Sequence, residues 1–208
     1  MLARGKDNLV KTKLLDNAKR SIAQNNLSHQ LISDIANWYV DDPFRMEQTL
    51  KYMYLLRDEY GFSHRYATKD EAISWINFLI EFILREQVPL SKRYHYLLEN
   101  DSFFYFSCKY RSCCVCGKPN AQIHHLKAIG NRKRKHTDHR KFPMASACYE
   151  HHEKAHKLGE KKFIEIYKIL PVYLDKEDLI KLGIMSNKQI LSFDEKYETE
   201  KLFEKATL

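Results

Sequence analysis

No stretch of this chain is long and apolar enough to cross a bilayer. The most apolar run, Ala72 to Leu84, is about thirteen residues and carries Asn77 and Glu81, whereas a spanning helix needs roughly 20; it is expected to be a buried helix. The opening MLARGKDNLV follows its basic residues with no apolar segment, so no secretory signal is expected. Internal repeats and low-complexity segments are absent. Cysteine is scarce and odd in number: Cys108, Cys113, Cys114, Cys116 and Cys148. A secreted disulfide framework would spread an even set along the chain. These five crowd beside histidines, which implies reduced thiols in a cytosolic compartment. Acidic residues are outnumbered 27 to 35 by basic ones, leaving a formal charge of +8 over 208 residues. That surplus permits a nucleic-acid partner without requiring one.

What is present begins with helices. With 44% apolar residues the chain can bury one large core or two small ones. Periodicity predicts helix from about 11 to 40, with Leu27, Leu31, Ile35 and Trp38 or Tyr39 on one face. Asp42 and Pro43 start a second helix through Met46, Leu50 and Met53, which Gly61 can end. Thr68 and Glu71 form a capping-box signature ahead of AISWINFLIEFILREQ, apolar nearly all round and so central to the domain or to a dimer interface. Ser91 can cap SKRYHYLLEN, and the run Phe103 to Phe106 fits helix or strand equally. His29, His64 and His95 have no cysteine or acidic partner at ligand spacing and read as ordinary surface or hydrogen-bonded histidines. After His156, helices are expected over GEKKFIEIYKIL up to Pro171, over KEDLIKLG, and from Ser186, with Gln189 completing a capping box.

The densest chemistry lies between Cys113 and His156. Cys113 and Cys116 form a CxxC followed by Gly117, and Cys148 and His151 form a CxxH about thirty residues on. Two such knuckles supply the four ligands of a closed tetrahedral zinc site. The segment between them is too polar for a core of its own, so the metal acts as a staple. Cys108 and Cys114 are out of register, although Cys114 could replace Cys113. AQIHH alternates like a short strand, which points His124 and His125 to opposite sides. His152 and His156 are four apart on one face of a helix beginning near Cys148 and can grip one ion together; with His124 they make three ligands and leave positions for water and phosphate. Between doublet and second knuckle run Lys127, Arg132, Lys133, Arg134, Lys135, Arg140 and Lys141, opposed only by Asp138. This long loop, with Gly130 and Asn131 favouring a turn at its start, is suited to phosphate-backbone contact.

The joint pattern CxxCG, HH, CxxHHxxxH resembles the HNH nuclease superfamily and its ββα-metal fold over roughly residues 113 to 158. The resemblance implies an α+β chain: a mainly helical domain over 1–107 for DNA binding, partner binding or dimerisation, a zinc-stapled ββα-metal domain over 108–160 with PMASAC as its second strand, and a helical extension over 161–208. It implies His125 as general base, His124, His152 and His156 around a catalytic ion, and Cys113, Cys116, Cys148 and His151 around structural zinc, with products carrying 5′-phosphates. An all-imidazole triad suits Zn²⁺, Ni²⁺ or Mn²⁺ by softness, with hydrated Mg²⁺ the further option. The family commonly has an asparagine nine residues before the first helix histidine, where this chain has Pro143; His139 is the residue placed to take over part of that role. The surrounding text, IHHLKAIGNRKRKHTDHRKFPMASACYEHHEKAHKLG, looks like the HNH nucleases of phages of Gram-positive bacteria. Those imply a role in phage DNA recombination or processing in the host cytoplasm. Some are linked with recombination mediators of the lambda Orf type, which act with single-stranded DNA and its binding protein.

Two rivals are weaker. His152, Glu153, Lys154, Ala155 and His156 also spell the HExxH of zinc proteases. The third histidine of its longer form would fall on Lys162, and a protease leaves the doublet, both knuckles and the basic loop without purpose. A non-catalytic zinc-containing DNA-binding mediator explains the knuckles and the loop but not HH or HxxxH.

Overall fold

Helix α1, Ile22–Tyr39, starts where Ser21 turns out of extended backbone. The Ser21 hydroxyl accepts from the Gln24 N–H at 3.1 Å, and the Gln24 side chain accepts from the Ser21 N–H at 2.9 Å. This reciprocal cap satisfies the first free donors and stops the helix there, so the predicted helix does not run through residues 18–20, where Lys19 pairs with Thr68. The structure is a computed structural model describing residues 18–58, 61–89, 101–130 and 134–206. Expectations for 11–17, for Ser91 and His95, and for Asn131, Arg132 and Lys133 lie outside the described residues.

Helix α2, Pro43–Asp58, has the predicted Asp42 cap, whose carboxylate accepts from the N–H groups of Phe44 and Arg45 at 3.0 and 3.1 Å. Leu50 and Tyr54 face inward, whereas Met53 is exposed. Helix α3, Lys69–Arg85, has the Thr68 and Glu71 box and buries Trp75, Ile76, Phe78, Leu79, Ile80, Phe82, Ile83 and Leu84. The one carboxylate in its apolar run, Glu81, is met by Arg57 at 2.7 Å, Tyr110 at 2.7 Å and Lys109 at 3.4 Å, as a partly buried charge requires. Trp75 donates its indole N–H to Ser28 Oγ at 2.7 Å, and Ser28 Oγ lies 3.2 Å from His64 Nε2. Burial pulls the His64 pKa down to about 4.

The undecided aromatic run is helical: α4, Asp101–Lys109, turns Phe103 and Phe104 into the same buried cluster as α1 and α3. That cluster continues into Cys114, Leu126, Ala145, Ala155 and Phe163. A smaller one gathers Cys108, Met144, Leu179, Met185 and Ile190. Strand β1, Gln122–His125, pairs antiparallel with β2, Met144–Ala147, so that His124 opposes Ala145 and His125 opposes Met144. These are the only two strands among the described residues; the rest is mostly helical. Helix α5, Tyr149–Leu158, follows β2 directly, then come α6, Glu160–Tyr167, α7, Lys176–Lys181, and α8, Asn187–Ala206. Val172 exchanges backbone bonds with Met144 on the free edge of β2, and the Ser186–Gln189 box heads α8 as predicted. Among the described residues no helix is long and apolar enough to cross a membrane.

Candidate active site

The first knuckle is shaped by a tight turn. The Gly117 N–H donates to Cys113 O at 2.8 Å, the Cys113 N–H to Lys118 O at 2.8 Å, and Gly117 takes φ 71°, a conformation that glycine adopts without a Cβ clash. Cys114 N–H donates to Ser146 O at 3.0 Å and Ser146 Oγ to Ser112 O at 2.6 Å, which lays this knuckle against β2. The chain leaving β2 enters α5 at Cys148, the N-cap. Cys113, Cys116, Cys148 and His151 thereby converge, each offering a ligand atom within 4.8 Å of the others. Cys116 and Cys148 sulfurs are 3.7 Å apart, and His151 Nδ1 lies 3.2 Å from Cys148 Sγ and 3.6 Å from Cys113 Sγ. Tetrahedral zinc with Zn–S of about 2.3 Å puts its sulfurs about 3.7 Å apart, so the donors and their spacing fit the metal. Burial opposes ionisation of Cys148, but the His151 N–H at the helix start and the neighbouring sulfurs outweigh it and lower its pKa. Among the described residues the apolar cluster around these sulfurs adds little beyond Ala121 and the half-buried Val115, in keeping with a staple in place of a core. Cys108 and Cys114 are fully buried outside the set, and burial raises the Cys108 thiol to about 12.

On a different face of α5, His124, His152 and His156 meet. Ring centres are 4.6 to 5.1 Å apart and every pair is edge-on, at 87° or 88°. His124 is buried, and its Nε2 has no hydrogen-bond partner. An isolated buried ring nitrogen costs free energy, and a cation held with His152 and His156 is what would satisfy it. Burial first, then the two neighbouring imidazoles, lowers His124 to about 4, and burial lowers His152 too; the neutral rings are the ligand form. The third partner of the HxxxH pair thus arrives from β1, not from the position downstream on which a protease motif depends.

Strand alternation sends His125 the other way, as expected. Its Nε2 lies 2.8 Å from His139 Nδ1, and His139 Nε2 lies 3.0 Å from Arg134 O. A carbonyl oxygen only accepts, so His139 carries its proton on Nε2, and its bare Nδ1 accepts the His125 Nε2–H. The basic nitrogen of neutral His125 is therefore Nδ1. Burial, then His139 and Arg134, lowers His125 to about 4. Pro143 contributes its carbonyl, which accepts from the Leu126 N–H at 2.9 Å and closes the hairpin.

His125, His139 and His152 open into a cleft of about 490 Å³ that is also lined by Arg111, Arg134, Lys135 and Gln189. Lys127 is exposed nearby in sequence, while Arg132 and Lys133 are outside the described residues. The loop is less free than its composition implies. Two short 3₁₀ turns, Arg134–His136 and His139–Lys141, bracket the buried Thr137 and Asp138. Asp138 is the partner of Arg140, which donates to its two oxygens at 2.9 and 3.0 Å and to Asp194 of α8 at 2.6 Å. Lys141 sits 3.6 Å above the Tyr197 ring. Arg140 and Lys141 therefore fasten the loop to α8. Sequence reasoning missed Arg111, which lies outside the charge run, and missed Lys188 and Lys196, which join Lys135 and His136 around an adjoining groove of about 440 Å³.

An antiparallel strand pair running straight into a helix, with His124, His152 and His156 gathered between β1 and α5, is the arrangement expected of the HNH class of nucleases. The family model described as "Putative HNHc nuclease" matches residues 1–184, and the chain belongs to that family. No curated protein and no solved structure matches it.

Proposed function

We propose that the protein is a metal-dependent DNA endonuclease of the HNH type, working in phage DNA recombination or processing in the host cytoplasm. The observation that carries this is the placement of His125 in a basic cleft that is also lined by His152, one of the His124, His152 and His156 cluster. Arg111, Arg134 and Lys135 hold the phosphate backbone, with Lys127 a further exposed cation of the same loop. His125 accepts a proton at Nδ1 from the attacking water while its Nε2–H stays on His139, so the ring does not swing. His124, His152 and His156 would hold a divalent cation that supplies positive charge to the phosphoryl and leaving oxygens. Cys113, Cys116, Cys148 and His151 would hold zinc that fixes the start of α5 and, with it, the angle of His152.

The test is cleavage of linear, nicked and branched DNA by wild type and His125→Ala across Mg²⁺, Mn²⁺, Ni²⁺ and Zn²⁺. The variant is expected to bind DNA normally and to cut ~10²-fold or more slowly, the usual loss of an acid–base group. Equal cleavage would remove His125 from its role. One tight zinc with no cleavage under any ion would return the protein to the non-catalytic mediator.

A further inference from the structure

The helical half holds a third cluster of ligands that the cleft does not use. His29 stands on α1, Glu47 on α2 and His64 in the segment before α3, and one ligand atom of each lies within 4.8 Å of the other two. Sequence spacing hides this, because the nearest of these residues are 17 positions apart and only the fold brings the carboxylate to the rings. The two imidazoles meet edge-on, with centres 4.3 Å apart at 89°, the same perpendicular packing as in the histidine trio beside the cleft. His64 is locked in place. Its Nε2 faces Ser28 Oγ, which the Trp75 indole also binds, so the ring turns Nδ1 away from Ser28. That nitrogen is buried and has no hydrogen-bond partner. Were it protonated, the Glu47 carboxylate in the cluster would be its natural acceptor, yet no such bond forms; as a bare lone pair it lacks any donor.

We propose that His29, Glu47 and His64 bind a divalent transition cation, zinc foremost, which ties α1, α2 and the segment before α3 together. Two imidazoles and one carboxylate are a recurrent donor set for such ions, and a ligand histidine whose second nitrogen is held by a neighbour is pre-oriented. Three protein ligands leave the remaining positions to water, so the ion exchanges readily. Lys51 lies 2.6 Å from one Glu47 oxygen and competes for the carboxylate. This site is therefore weaker than the Cys₃His knuckle. It is independent of the nuclease proposal, since none of its residues reaches the cleft.

The experiment is zinc titration of the full-length protein, dialysed first against a mild chelator that strips exchangeable ions and spares the knuckle, with bound zinc counted by equilibrium dialysis. Wild type is expected to take two exchangeable equivalents. His29→Ala, at an exposed position, should lose one of them, and His156→Ala should lose the other. Glu47→Gln should lose the same equivalent as His29→Ala, which keeps the test open if one variant folds poorly. Lys51→Met should keep it and bind several-fold more tightly. Wild-type isotherms for both His29→Ala and Glu47→Gln would overturn the site, whereas failure of His156→Ala alone to lose an equivalent would count against the cleft cation only.

Discussion

At His139 a side chain acts through another. Its Nε2–H is spent on the Arg134 carbonyl and its Nδ1 receives the His125 proton, which fixes the tautomer and the tilt of the proposed base. His139→Ala should slow cleavage ~10-fold or more, the loss expected when a reacting group is misplaced, with DNA affinity unchanged. His139→Asn keeps an acceptor where Nδ1 was and should recover most of the rate. Equal rates for all three proteins would leave His139 with a packing role only. Pro143 offers only a carbonyl to the hairpin, so in the proposed mechanism the orienting side chain is that of His139, from the second 3₁₀ turn.

At the scale of elements, the cysteine knuckle and α5 are one object, because the N-cap of the helix, Cys148, is itself one of the four converging donors. Cys116→Ser should release zinc and broaden or abolish the unfolding transition seen by circular dichroism, since so little apolar surface supports the sulfurs. A zinc-loaded variant with a sharp transition would show that the knuckle is not needed as a staple. The elements legible in the sequence were those fixed by near neighbours: the Asp42 cap, the Thr68–Glu71 and Ser186–Gln189 boxes, the alternation of HH, and the two knuckles. Contacts made across the fold were not legible. Arg111 reaches the cleft from outside the charge run, and the meeting of Glu47 with His29 and His64 and the hold of Asp194 and Tyr197 on the loop join residues at least 17 positions apart. No local pattern records such pairings. The charges of the loop were visible in the same way, but the buried Asp138 that binds Arg140 is itself held by Tyr197 of α8.

For the whole molecule, acid is the informative variable. His64, His124 and His125 are each lowered from 6.5 to about 4, by burial first, so they stay neutral when folded. Between those values the unfolded chain binds protons that the folded chain refuses, and stability therefore rises with pH across that window. Full stability is expected above about pH 6.5, with progressive loss as pH falls toward 4. Thermal midpoints measured from pH 7.5 to 4.5 should fall steadily; a flat or rising midpoint would contradict neutral burial of these rings.

One feature of α5 bears on how this chain can change over time. Adjacent residues, His151 and His152, belong to two different donor clusters on a helix only 10 residues long. Each residue advances the helix by about 100°, so a single insertion between them would rotate His152 and His156 away from His124 while the knuckle stayed in place. Substitution can be absorbed one ligand at a time, but a change of length cannot. The ten residues of α5 should therefore be the segment of the chain least tolerant of insertion or deletion.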